Sequence, residues 1–334
     1  MSLVKITTAP PTVRKYPGVP KVSDRLAAVP MVAYREKDTR QLFTLKEPDL
    51  FRDIKNAGNV MNAISKVPKI NHPEALVIAG GGAKAMSGYG AIHVLRKMGH
   101  LKNLKIVAGT SAGAIVAAGV ALDRDPITMV KKFTERTYRP DLDIQNFGNA
   151  FGVDNGASLF QWIDIVLGED TITFMDIFER TGMTLIVCAT NLSRSEAVYF
   201  SHVSHPTMDV RVAIRMSCSL PIFFSAVRYE GELYVDGALT SAFPMVHAMS
   251  LSDNVLGIRY DSTEYSTPME ISGLDKFFTS LIAVSTKDHY PDDANVFTID
   301  VKDISVLDFK SPKKLKKAFK MGFDSMKNFL KKND

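Results

Sequence analysis

Gly109-Thr110-Ser111-Ala112-Gly113 sets a serine among small residues, after Leu104-Lys105-Ile106-Val107-Ala108 and before Ala114-Ile115-Val116-Ala117-Ala118. A strand that turns sharply into a helix at a serine throws the hydroxyl above the sheet edge. Small residues two places either side, here Gly109 and Gly113, let strand and helix close up behind it. The helix N-terminus adds positive potential where negative charge would develop. The chemistry implied is acyl transfer through Ser111; the plain alternative is a glycine-rich turn, because the bare pentapeptide is common.

A second glycine cluster, Gly80-Gly81-Gly82-Ala83-Lys84-Ala85, follows the apolar run ending at Ala79. Adjacent glycines leave backbone N–H groups free to point at an anion. Gly80, Gly82 and Ala85 also match the glycine pattern of a dinucleotide loop, but that fold wants an acid at the end of the next strand to hold a ribose. Here the next strand ends in Ser111. An oxyanion hole over Gly80, Gly81 and Gly82 is therefore the better expectation, and a tight turn is the bland one.

The base is less plain. Of the histidines, only His247 and His289 follow a candidate acid in the order that a Ser-Asp-His triad requires. Asp236, in Glu232-Leu233-Tyr234-Val235-Asp236-Gly237-Ala238, is an acid at the end of an apolar strand, where ligands of α/β sheets collect. Taken alone, a strand-end aspartate is more often a turn-former or helix cap. Desolvation between apolar strands would raise its pKa toward neutrality and let it take a serine proton directly.

These residues need a scaffold that presents strand ends. Strands are expected at 74–80, 105–109, 183–190, 197–200, 233–236, 255–259 and 296–300, with helices at 47–66, 85–98, 112–122 and 208–217. Ala-Leu-Val-Ile-Ala and Leu-Ile-Val-Cys-Ala lack in–out alternation, so both sheet faces should be covered. The expectation is an α/β fold with a mainly parallel sheet between helical layers. Residues 148–170 fit the alternation poorly and are read as a cap beside the site. Residues 1–45, spotted with proline, are read as an extended arm, 46–309 as the catalytic domain and 310–334 as a basic amphipathic helix.

The three chemical blocks, in their order, resemble the signature blocks of patatin-like phospholipases. Two more stretches strengthen the match: Thr173-Phe174-Met175-Asp176-Ile177-Phe178-Glu179-Arg180-Thr181-Gly182, and Arg215-Met216-Ser217-Cys218-Ser219-Leu220-Pro221-Ile222-Phe223-Phe224. The resemblance covers about residues 73–259. It implies a three-layer α/β/α fold and a Ser111–Asp236 dyad without histidine. It also implies oxyanion N–H groups from Gly81 and Gly82, with Lys84 near a substrate phosphate. The implied activity is cleavage of fatty-acyl esters of phospholipids or neutral lipids, with no catalytic metal and no cofactor. Ala85, Ala238 in the Asp236-Gly237-Ala238 block and Ala242 depart from the family's usual residues without removing a catalytic group. An α/β-hydrolase esterase and an inactive patatin-like module that binds lipid or protein stand as rivals. Head-group choice and any protein activator are open at this point.

Composition supports an enzyme body. The chain of 334 residues carries a net charge of +5, but residues 310–334 hold nine lysines against Asp324 and Asp334. The rest is near neutral, which argues against a nucleic-acid-binding body. On a helical wheel the tail gathers Leu315, Ala318, Phe319, Gly322, Phe323, Met326, Phe329 and Leu330 on one face, opposite Lys313, Lys316, Lys320, Lys327 and Lys331. That pattern suits either a helix lying in an anionic membrane surface or a terminal helix packed on the domain. Cys188 and Cys218 lie in apolar runs and are expected as buried free thiols. No apolar segment suits a signal peptide. The uncharged run Ile106–Leu122 splits into strand and helix rather than a membrane span, so a cytoplasmic, at most peripheral, protein is expected.

Overall fold

The computed structural model describes residues 70, 72–136, 138–261, 280 and 290–333. The expected arm over 1–45, the expected helix over 47–66 and His289 lie outside these residues.

The chain enters through β1 (Ala75–Ile78), all four residues of which are fully buried. A 3-10 turn (Gly82–Ala85) leads into α1 (Met86–Lys97), then β2 (Ile106–Thr110) and α2 (Ala112–Ala121). Every residue of α2 is buried, as an all-round apolar helix must be. The uncharged run is thus strand plus central helix, and among the described residues no helix is long and apolar enough to cross a membrane.

Next come α3 (Pro126–Glu135), α4 (Ile144–Ala150), β3 (Gly152–Asp154), α5 (Ala157–Leu167) and α6 (Phe174–Thr181). Helix α3 starts on Asp125, which accepts from the Thr128 N–H, with proline at its first position. A reciprocal Thr173–Asp176 capping box opens α6, and Gly182 closes it in the left-handed conformation. Then follow β4 (Thr184–Asn191), β5 (Glu196–Phe200), α7 (Val210–Ser217), β6 (Ile222–Phe224), β7 (Val227–Tyr229) and β8 (Glu232–Asp236). The last elements are α8 (Ala238–Ser241), α9 (Met245–Met249), β9 (Val255–Asp261), β10 (Val296–Asp300) and α10 (Pro312–Asn333).

One eight-stranded sheet runs β10-β9-β1-β2-β4-β8-β7, with β5 also on β4. The first five are mutually parallel, while β5 and β8 run antiparallel to β4. Helices cover both faces, giving the α/β/α architecture and the continuous apolar strands anticipated above. The register around β4 positions the site. β5 occupies one edge through Val187–Asn191, and β2 takes the other from Thr184 to Cys188. Where β2 leaves at Thr110↔Cys188, β8 takes over that edge with Asp236↔Ala189. The ends of β2 and β8 therefore meet.

Two expectations need correction. Residues 148–170 are not a cap. β3 pairs in parallel with β6, and α5 packs against α2 and α7 with Trp162, Ile163 and Val166 buried. Nor is the apolar face of the terminal helix free for lipid. α10 lies along α1 with Leu315, Ala318, Met326 and Leu330 buried, and Phe329 meets Phe297 at 5.2 Å. The two helices approach so closely that a Cβ at Gly90 would overlap the Phe319 carbonyl and one at Gly322 the Ser87 carbonyl. The lysines at 313, 316, 317, 320, 327, 331 and 332 point to solvent.

Candidate active site

Ser111 occupies the N-cap of α2 with φ 54° and ψ −132°, a region that residues with a Cβ enter only at a cost. The elbow closes tightly behind it. A Cβ at Gly109 would overlap the Gly113 carbonyl, and one at Gly113 the carbonyls of Ile78 and Ala79. The two small positions flanking the serine are thus demanded by close backbone approach.

Ser111 Oγ donates to Asp236 Oδ2 at 2.8 Å, and the Ala238 N–H donates to Asp236 Oδ1 at 2.8 Å. Asp236 is 2% exposed. Burial pushes its carboxyl up to about 7, against the lowering effect of the hydrogen bonds from Ala238 and Ser111. A carboxylate with this pKa can accept a proton from a hydroxyl it already touches. Gly237 sits where β2 and β8 meet, its N–H donating to the Ser217 carbonyl at 3.2 Å.

The glycine loop lies against Ser111: a Cβ at Gly80 would stand 3.4 Å from Ser111 Cβ. Its three glycines differ in role. The Gly80 N–H is spent on the Ala242 carbonyl at 2.8 Å, so the expected donor at Gly80 is corrected to a loop anchor. The N–H groups of Gly81 and Gly82 make no hydrogen bond among the described residues. Gly82 has φ 55° and packs so tightly under Val306 that any Cβ would overlap the Val306 carbonyl. That carbonyl also accepts the Ala83 N–H at 2.9 Å, so the segment before α10 fastens the loop. The Ala112 N–H, in the first turn of α2, likewise has no intrahelical acceptor.

Lys84 follows in the 3-10 turn and is only 5% exposed. His247 makes no hydrogen bond to Ser111 or Asp236 among the described residues. Its ring lies flat on Tyr199 at 3.8 Å, and burial lowers its pKa. Cys188 and Cys218 are free and buried, and burial raises both thiols. Among the described residues no group of three or more His, Cys, Asp or Glu is placed to hold a metal ion.

The family model for patatin-like phospholipase matches residues 76–249. The chain belongs to that family, and lipid hydrolysis is the general activity that goes with it. It is similar to the uncharacterized protein R571 of Acanthamoeba polyphaga mimivirus, 26% identical over 75% of this chain and 92% of that protein. It is also similar to the probable lipid hydrolase 463L of Invertebrate iridescent virus 6, 25% identical over 53% of this chain and 63% of the relative. A human relative, patatin-like phospholipase domain-containing protein 4, is 26% identical over 70% of this chain and 86% of its own length.

Proposed function

We propose that the chain cleaves fatty-acyl esters of phospholipids or related acyl lipids through a Ser111–Asp236 dyad. The observation that carries this reading is the 2.8 Å hydrogen bond from Ser111 Oγ to a buried carboxylate, at the elbow between β2 and α2. Asp236 takes the Ser111 proton as Oγ attacks the ester carbonyl. The N–H groups of Gly81 and Gly82, joined by that of Ala112, hold the oxyanion. Collapse passes the proton from Asp236 to the departing alcohol and leaves an acyl-serine. Water then attacks with Asp236 again as base, releasing the fatty acid and restoring Ser111.

Substrate breadth is supported by the relatives' names, which span a probable lipid hydrolase and a phospholipase domain. Any contact with an anionic membrane through α10 would rest on its exposed lysines alone, since the apolar face is occupied. The test is fatty-acid release from a panel of phospholipids, lysophospholipids and triacylglycerol by wild type and Ser111→Ala. Release from at least one lipid class that disappears in the mutant supports the reading. Equal release by both proteins ends it.

A further inference from the structure

The Ser111 N–H donates to Ser217 Oγ at 2.8 Å, and the Ser217 hydroxyl donates in turn to the Cys188 carbonyl at 2.5 Å. This chain of two bonds occupies a particular place in the sheet. The β2–β4 ladder begins with the Thr184 N–H on the Lys105 carbonyl and runs in register to Thr110↔Cys188. In a parallel ladder, N–H groups of alternate residues reach across to the neighbour, so the next rung would join the Ser111 N–H directly to the Cys188 carbonyl. The elbow turns Ser111 out of the ladder and opens that rung. Ser217, fully buried at the end of α7, stands in the gap.

The same short segment also holds the other half of the dyad. The Asp236 N–H donates to the Ser219 carbonyl at 2.9 Å and the Gly237 N–H to the Ser217 carbonyl at 3.2 Å. Ser219 is itself fastened by buried Arg215, which donates to its Oγ at 2.5 Å and accepts from it through the Arg215 carbonyl at 2.7 Å. Arg215 is anchored in turn on the Ser225 carbonyl at 3.0 Å. Residues 217–219 therefore touch the backbones of both Ser111 and Asp236, which lie 125 residues apart in the chain.

We propose that Ser217 is a positioning residue whose hydroxyl completes the opened rung between β2 and β4 and so holds Ser111 Oγ on Asp236. The proposal rests on Ser111 and Asp236 acting as nucleophile and base. Without the hydroxyl, the Ser111 N–H and the Cys188 carbonyl lose their shared partner. The strained elbow can then relax and carry Oγ off the carboxylate.

The test uses the full chain with Ser217→Ala, Ser217→Cys and, as control, Ser111→Ala. Cysteine keeps nearly the size of serine but hydrogen-bonds weakly, so it separates the hydrogen bond from packing should the alanine variant fold poorly. Measured are kcat and KM on a water-soluble short-chain ester, the pH profile of fluorophosphonate labelling and the melting temperature. Each Ser217 variant is expected to lose about 10- to 100-fold in kcat, the order for a reacting group displaced by an ångström or less. KM should stay within about twofold. The labelling midpoint should move to higher pH, because the bond from Ser111 is one of those that hold the Asp236 pKa down. A folded Ser217→Cys or Ser217→Ala protein with wild-type kcat and midpoint overturns the proposal, as does a rate loss that only matches the loss of folded protein. Undiminished turnover by Ser111→Ala would instead remove the nucleophile reading beneath it.

Discussion

Ser111 Oγ lies 2.8 Å from Asp236 Oδ2 because β8 continues the very edge of β4 that β2 abandons. The aspartate is thereby buried among apolar strands, and its raised pKa follows from that position. A base must be ionised to work, so kcat/KM should climb about tenfold per pH unit below pH 7 and level off above it. A pH–rate profile on a soluble ester checks this; a midpoint near pH 4 would mean that Asp236 is not the titrating base.

The same shift carries a stability cost. The folded-state pKa lies above the unfolded one, so between about pH 4 and 7 the unfolded chain has released this proton while the native protein keeps it. The Asp236 contribution to stability therefore falls as pH rises through that window and stays low above 7. Asp236→Asn should melt no lower than wild type at pH 8 while losing activity by about three orders of magnitude or more. The double variant with Ser111→Ala should be scarcely worse than either single one. Losses that multiply would mean the two residues act separately.

His247→Ala should cost less than about tenfold in kcat, because its ring is stacked on Tyr199 and no histidine shuttle is invoked. The rate on a soluble ester, measured beside a melting curve, decides the matter. A folded variant with near-complete loss would restore the triad.

Lys84 should matter to the loop more than to the head-group. Being buried in the turn that carries Gly81 and Gly82, Lys84→Met is expected to lower turnover of a phospholipid and of a small uncharged ester to a similar extent. A loss confined to the phospholipid would put the ammonium on the phosphate after all.

Deleting residues 310–334 should lower the melting temperature sharply or cause aggregation, since Leu315, Ala318, Met326 and Leu330 belong to the core. Glutamate in place of Lys313, Lys316, Lys327 and Lys331 together should leave the fold intact, because these side chains are exposed. A truncated chain that melts like the full one would contradict the packing of α10 on α1.

Much of this site is legible in the residues themselves. The strand β10 falls on the expected residues, and β2, β4 and β8 end within a residue or two of expectation, because continuous apolar runs bounded by glycine and charge are strong strand signals. The elbow and the aspartate stand out through motif and position. What pairing decides was hidden: nothing in Glu232–Asp236 announces that it will share an edge of β4 with β2, so the meeting of the two strand ends appears only in the register. Ser217 is hidden for the same reason, since its partners are backbone groups more than 25 residues away. The Gly80 N–H looks as free as that of Gly81 until Ala242 is brought over it. The apolar face of α10 reads alike for lipid and for core, as both bury the same phenylalanines.

The most direct test of the dyad is the site and rate of fluorophosphonate labelling, read by peptide mass mapping, in wild type, Ser111→Ala and Asp236→Asn. The dyad predicts a single adduct on Ser111 in wild type, none in Ser111→Ala and labelling slowed by about three orders of magnitude in Asp236→Asn. An adduct on another serine, or wild-type labelling of Ser111 in Asp236→Asn, would contradict it.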